Sequence, residues 1–202
     1  YSITPSGIFV SPDSKIESPE DLANIPVTVG YQSGSHYSTI QGLEPFLKTE
    51  EINLHFGGLL MGRLDLLVDG VVPAGNAFGA PMYVLEQLGF RKILDTTFMI
   101  ATMVPSDVNR DDVVKFFKAL KRAQADIDVR HDLYTHYFLN ELPAHYSKIA
   151  DTRRFGPGER IVFEPYSREI FDGTREWVIE RGIFPKNKIG AENYDYAVVN
   201  GG

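Results

Sequence analysis

The tetrad Ser33-Gly34-Ser35-His36 lies between the β-branched run Val27-Thr28-Val29 and a helical pattern built from Ile40, Leu43, Phe46 and Leu47. A helix that starts here leaves several N–H groups unpaired and carries partial positive charge, so it favours an anion. Gly34 lets a ligand approach the backbone closely, and Ser33 and Ser35 each offer a hydroxyl. The same residues admit a plainer role, with Ser35 as a helix cap and Gly34 as a turn residue. His36 is suited to hydrogen-bonding a carboxylate or sulfonate, to general acid–base work, or to an exposed place in the first turn. Tyr31, at the strand end, either stacks on a ligand or packs.

A second cluster is Ala74-Gly75-Asn76-Ala77-Phe78-Gly79, read as a loop after a strand at Val71-Val72 and before a Pro-initiated helix. Loops at the carboxyl ends of strands line the crevice of an open α/β sheet. Asn76 then supplies a donor and an acceptor, and Phe78 a wall; the alternative is a tight turn that needs glycine. Asp95-Thr96-Thr97 ends another strand, with Thr97 expected to reach the cleft and Asp95 to cap or pin the bend.

Other chemistries find little support. The chain has no cysteine, which removes disulfides, Cys-based zinc sites and a thiol nucleophile. His131 and His136 are five residues apart and so point about 140° from each other on a helix, unlike a two-His zinc motif. Glu141 and His145 are separated by Pro143, and no metal site or cofactor is expected. Arg153-Arg154 reads as a solvated pair, and the Phe116-Phe117 and Trp177 stripes as core.

A net charge of −7 without a run of Lys or Arg sets nucleic acid aside, so any anion site must be made locally. No apolar stretch is long enough to span a membrane. Tyr1-Ser2-Ile3-Thr4 leads toward a strand with neither Met nor a signal-like segment, and the natural protein is expected to extend further at this end.

The elements follow from local pattern. Strands are expected at Gly7–Val10, Val27–Val29, Leu54–Phe56, Val71-Val72, Arg91–Leu94 and Phe98–Val104. Ser18-Pro19-Glu20-Asp21 starts a short helix. Further helices are expected after Ser35, over Gly62–Val68, from Met82 to Leu88, from Asn109 through Leu120, over Asp132–Leu142 and over Ser167–Arg181. Arg153–Phe163 reads as a loop. Strands alternating with helices indicate βαβ units and a largely parallel sheet.

Four stretches carry a resemblance. They are Ser18-Pro19-Glu20-Asp21-Leu22 before a strand, Val29-Gly30 leading to Ser33-Gly34-Ser35, the helix end Leu67-Val68-Asp69-Gly70, and Leu88-Gly89-Phe90-Arg91-Lys92-Ile93-Leu94. In order and spacing, the chain resembles the type II periplasmic-binding-protein-like family, in its nitrate/taurine/sulfonate and thiamine-precursor receptor branch, over roughly residues 7–185. The cysteine- and histidine-rich motifs of the branch that makes a thiamine pyrimidine are not matched.

The resemblance implies an α/β fold with an open, mostly parallel sheet and helices on both faces. It divides the chain into a strand and connecting segment of a first lobe (1–24), a second α/β lobe (25–104), helices returning to the first lobe (105–185) and a surface tail (186–202). The first-lobe sheet that precedes residue 1 in that family is then not represented, and a homodimer is one way to cover the surface left open.

The implied function is a solute receptor of an ABC importer, periplasmic or lipid-anchored outside the cell, binding a small organic anion such as a sulfonate, carboxylate or aromatic acid. The expected ligand residues are Tyr31, Ser33, Gly34, Ser35, His36, Asn76, Phe78 and Thr97, with an ABC permease as partner. The alternative is an enzyme on the same scaffold, an aromatic-acid decarboxylase using His36 as acid/base. A ligand-sensing regulatory module is a third class, though no DNA-binding helix pair is evident.

Overall fold

Ile8, Phe9 and Val10 are completely buried, which adjacent strand residues achieve only inside a sheet covered on both faces. A computed structural model describes residues 1–184 and 194–198. In chain order it contains β1 (Ser2–Thr4), β2 (Ser6–Val10), a 3₁₀ turn (Pro19–Leu22), β3 (Pro26–Val29), α1 (Gly34–Leu43), β4 (Asn53–Phe56) and α2 (Leu60–Val68). Then come β5 (Ala74–Phe78), α3 (Gly79–Gln87), β6 (Arg91–Asp95), β7 (Phe98–Ile100), α4 (Arg110–Arg130), α5 (Ala144–Ser147), β8 (Arg160–Ile161), α6 (Arg168–Glu180) and α7 (Tyr194–Ala197).

The main sheet has the order β4-β3-β5-β2-β6. β3 runs parallel to β4 and β5, while β2 is antiparallel to both β5 and β6. Four strands therefore share one direction and β2 alone opposes them, so the sheet is mostly parallel as expected. Side-chain alternation along β2 sends Phe9 to one face and Ile8 and Val10 to the other. Phe9 joins Leu64, Leu67, Leu85, Tyr146 and Phe155 under α2 and α3. Ile8 and Val10 join Leu22, Val27, Leu43 and Leu47 under α1.

A smaller sheet, β7-β1-β8, is tied to the first by two chain segments lying side by side. Ser2–Thr4 pairs with Phe98–Ile100, and Gly7–Val10 with Arg91–Asp95. The pair of ribbons thus crosses from one sheet into the other. Ser6–Val10, which the sequence division puts with the first lobe, lies inside the larger sheet.

Several sequence expectations need correction. The strand expected at Val71-Val72 begins at Ala74, and the expected loop 74–78 is that strand. Its small residues are what the position requires. A Cβ on Gly75 would lie 2.5 Å from the Thr28 methyl and 2.8 Å from a Leu67 methyl, so the neighbouring side chains fill that space. Gly79, at φ +61°, then turns the chain directly into α3. The strand expected over Phe98–Val104 stops at Ile100, and Met103 is exposed. Asp132–Leu142 forms two 3₁₀ segments, His131–Leu133 and Thr135–Glu141, while Arg153–Phe163 contains the short strand β8. Phe46 and Phe116, both expected in apolar cores, are exposed.

The C-terminal part packs back through specific bonds. The Tyr83 hydroxyl accepts from the Gly158 N–H at 2.9 Å, and the Tyr146 hydroxyl donates to Asp65 at 2.9 Å. Arg160 forks onto Asp128 of α4 at 2.8 and 3.0 Å. Arg181 forks onto Glu44, which also accepts from the Trp177 indole at 3.1 Å and so anchors α6 beside α1. Of the expected surface tail, residues 194–198 are described, with Tyr194 edge-on to Phe171; the rest lies outside the described residues. Among the described residues no helix is long and apolar enough to cross a membrane.

Candidate anion-binding site

β3 runs into α1 through Gly30-Tyr31-Gln32, with Gln32 in the left-handed region at φ 49° and Ser33 at the N-cap position. Ser33 is a residue type that normally caps, yet its side chain makes no capping bond. Its hydroxyl instead donates to the Gly30 carbonyl at 2.8 Å and lies 2.8 Å from the Ser35 hydroxyl. Ser35 is fully buried and accepts from the Gly30 N–H at 3.1 Å. The N-terminus of α1 is therefore left without the side-chain acceptor its sequence provides.

The residue that completes this corner is Arg63 of α2, which sequence reasoning missed. Its Nη1 donates to the Ser35 hydroxyl at 2.7 Å, and only 3% of the residue is exposed. Its Nε, half of the side-on fork with which arginine grips an oxyanion, is buried without a partner among the described residues. No carboxylate pairs with it there. Burial alone brings its pKa down to about 10, so it stays charged at neutral pH. Gly57 makes room for it: a Cβ there would come 2.9 Å from Arg63 Cγ and 2.2 Å from Thr28 Oγ1. The signal was present in the sequence, because Arg63 sits beside Leu64 and four residues before Leu67 on the buried stripe of its helix.

An uncompensated buried guanidinium is costly, and placing it at the positive end of a helix adds repulsion. Both potentials are relieved together by a single anion. The hydroxyls have little left to give, since Ser33 donates to Gly30 and Ser35 donates to Ser33 while accepting twice. Among the described residues, the donors left open at this corner are therefore the Gly34 and Ser35 N–H groups and the Arg63 Nε, since the His36 N–H donates to the Ser33 carbonyl at 3.0 Å.

The other expected residues divide. Phe78 stands at the site, its ring centroid 5.9 Å from the Arg63 guanidinium carbon, and meets Phe98 edge-on at 5.5 Å. Gly34 has a different use from the one expected. Phe98 lies over it, and an added Cβ would sit 2.3 Å from that ring, so the missing side chain admits Phe98.

Asn76 is 1% exposed and spent on the protein. Its Oδ1 accepts from Ser6 at 2.9 Å, and its Nδ2 donates to Thr39 at 3.0 Å and Thr96 at 2.9 Å. Thr97 is exposed and gives its N–H to Asp95 at 3.0 Å; Thr96 is the residue turned inward.

His36 accepts the Gln32 N–H on Nδ1 at 3.2 Å, a bond that needs the neutral ring protonated on Nε2. Burial lowers its pKa further. Its ring stacks on Tyr37 at 4.8 Å and on Tyr31 at 6.1 Å, and Phe56 meets both His36 and Tyr31 edge-on at 5.1 Å. Tyr31 itself remains 66% exposed.

A hollow lined in part by His131, Tyr134, Phe138 and Glu141 lies apart from the Arg63 corner. It is lined by the Glu141 carboxyl, whose pKa burial raises, and among the described residues no Lys or Arg lines it, so its described lining does not suit an anion.

No family model matches this sequence, and no curated protein sequence matches it either. Solved structures do. The alkanesulfonate-binding protein SsuA of Xanthomonas axonopodis pv. citri, bound to MOPS, superposes with a TM-score of 0.69 at 15% identity, over 91% of this chain and 68% of that one. The periplasmic aliphatic sulphonate binding protein SsuA of Escherichia coli gives 0.68 at 17% identity, over 99% of this chain and 68% of that one. The chain has the periplasmic-binding-protein fold. Its main sheet, mostly parallel with helices on both faces, is the feature that the sequence resemblance implied. In this periplasmic-binding-protein fold the candidate site sits at the carboxyl ends of β3 and β5, where open α/β sheets place their ligands.

Proposed function

We propose that this chain is a receptor that binds a small organic anion and serves an ABC importer. The observation that carries the reading is Arg63, a buried guanidinium whose Nε has no partner among the described residues and which meets the N-terminus of α1 through Ser35. A singly charged sulfonate or carboxylate supplies what this corner lacks, with acceptor oxygens for the N–H groups and a counter-charge for Arg63. The two superposing structures are named for sulfonates, which supports that head group. A receptor of this kind works outside the cytoplasmic membrane and delivers its ligand to a permease.

The alternative, with His36 as acid/base in a decarboxylase, draws less support from the geometry. Its Nδ1 is committed to Gln32, its ring is packed against Tyr37, and burial favours the neutral form.

Calorimetry with the purified chain tests the proposal. Methanesulfonate, benzenesulfonate, acetate and benzoate are titrated beside dimethyl sulfone, a neutral analogue of similar size. At least one anion is expected to bind with a Kd of about micromolar order, and dimethyl sulfone about 100-fold more weakly or not at all. Equal binding of the neutral compound, or no binding of any anion, contradicts the reading.

A further inference from the structure

We propose that the anion bound here carries an aromatic ring, an inference that rests on the anion-binding reading and names the remainder of the ligand. Tyr31 and Phe56 follow or end the parallel neighbours β3 and β4, and stand 66% and 48% exposed. They meet edge-on at 5.1 Å. Beneath them His36 stacks on Tyr31 and on Tyr37, and the Gln32 N–H bond to His36 fixes the turn that holds Tyr31 in place. These rings form one wall beside the first turn of α1.

Rings also stand on the β5 side, since the sheet order β4-β3-β5 puts Phe56 and Phe78 on either side of β3. Phe98 covers Gly34 in that turn, and Phe78 meets Phe98 edge-on with its ring toward Arg63. The charged corner is thus bordered by rings from the ends of β4 and β5, and Tyr31 and Phe56 among them are exposed. Exposed aromatic surface grouped beside a polar site marks a recognition surface. A planar ring attached to the anion can stack on or meet these rings edge-on, whereas a saturated group of the same size gains only contact area.

The test compares benzenesulfonate with cyclohexanesulfonate and with a trimethylammonium-propanesulfonate zwitterion, by calorimetry on the full chain. Benzenesulfonate is expected to bind about tenfold more tightly than cyclohexanesulfonate. That ratio should fall to about one in Tyr31→Ala/Phe56→Ala, with Tyr31→Leu giving an intermediate value. Both outer rings are exposed, so their truncation removes no core side chain. Equal affinity for the aryl and saturated sulfonates overturns the aromatic assignment and leaves the anion reading standing. Preference for the zwitterion overturns it too, by making the rings a cation-binding wall. Failure of every sulfonate and carboxylate to bind removes the anion reading, and this inference with it.

Discussion

Arg63→Met is expected to abolish anion binding while leaving the unliganded protein at least as stable as before. Methionine keeps much of the side-chain stem that passes Gly57, and it removes a charge that has no counter-ion in the described structure. Deleting one partner of a buried charge pair costs about 3–5 kcal/mol, so affinity should fall by roughly 10² to several times 10³-fold. Replacing a buried, poorly compensated ion by an apolar side chain is by contrast neutral or stabilising by about 1–4 kcal/mol.

Ser35 keeps its bonds to Gly30 and Ser33 in this variant, so the turn before α1 is retained. Thermal unfolding with and without methanesulfonate checks both halves. The parent melts higher with the anion, whereas Arg63→Met melts no lower than the free parent and does not respond to it. A variant that loses several kcal/mol without ligand would make Arg63 a structural residue. In the parent, burial lowers the Arg63 pKa to about 10, so anion binding is expected to weaken as pH rises through that value, read as a rising Kd by calorimetry.

Asn76→Ala should destabilise the fold by about 3–5 kcal/mol, because it empties a fully buried network rather than a ligand contact. Three side-chain bonds are lost at once, and the Thr39 and Thr96 hydroxyls lose the amide that serves them both. Only the 3.0 Å bond between Ser6 and Thr96 survives. The network lies where the two crossing ribbons leave the main sheet, with Ser6 in one and Thr96 in the other. Urea unfolding measures the loss. A change below about 1 kcal/mol contradicts this role, since a single net hydrogen bond is already worth that much.

The difference between Asn76 as ligand group and Asn76 as core explains how far the sequence could be read. Strands with β-branched or apolar runs, such as Val27-Thr28-Val29 and Ile8-Phe9-Val10, were legible because their local preference agrees with their place in the sheet. Ala74-Gly75-Asn76-Ala77-Phe78 has the composition of a turn. It becomes a strand because β2 and β3 pair with it on either side and Thr28 and Leu67 need the space at Gly75. Local patterning holds no trace of that constraint.

Thr97 was misplaced for a related reason. The register of β2 and β6 slips between Ile8 and Phe9, so Phe9 pairs with Lys92 and Ile8 with Leu94. The extra residue in β6 reverses its alternation, turning Thr96 inward in place of Thr97.

The helix-end signal at Ser33 to His36 was legible as a position but not as a set of bonds. Which hydroxyls remain free depends on Gly30 and Arg63, and only the folded chain brings them together. Arg63 itself was visible as a cation on an apolar helix stripe. Weighing that stripe as chemistry rather than core would have found it.

Two-dimensional ¹⁵N NMR of the full chain, observing the backbone amides of Gly34, Ser35 and His36 together with the Arg63 Nε–H, most directly tests the claim that an anion completes this corner. On titration with methanesulfonate, the Arg63 Nε–H and the Gly34 and Ser35 amides should shift together along one saturating curve. Chloride at the same ionic strength should leave them nearly unmoved. If the Arg63 Nε–H stays in place while sulfonate binds elsewhere, or if nothing in this group responds, the assignment of the site is wrong.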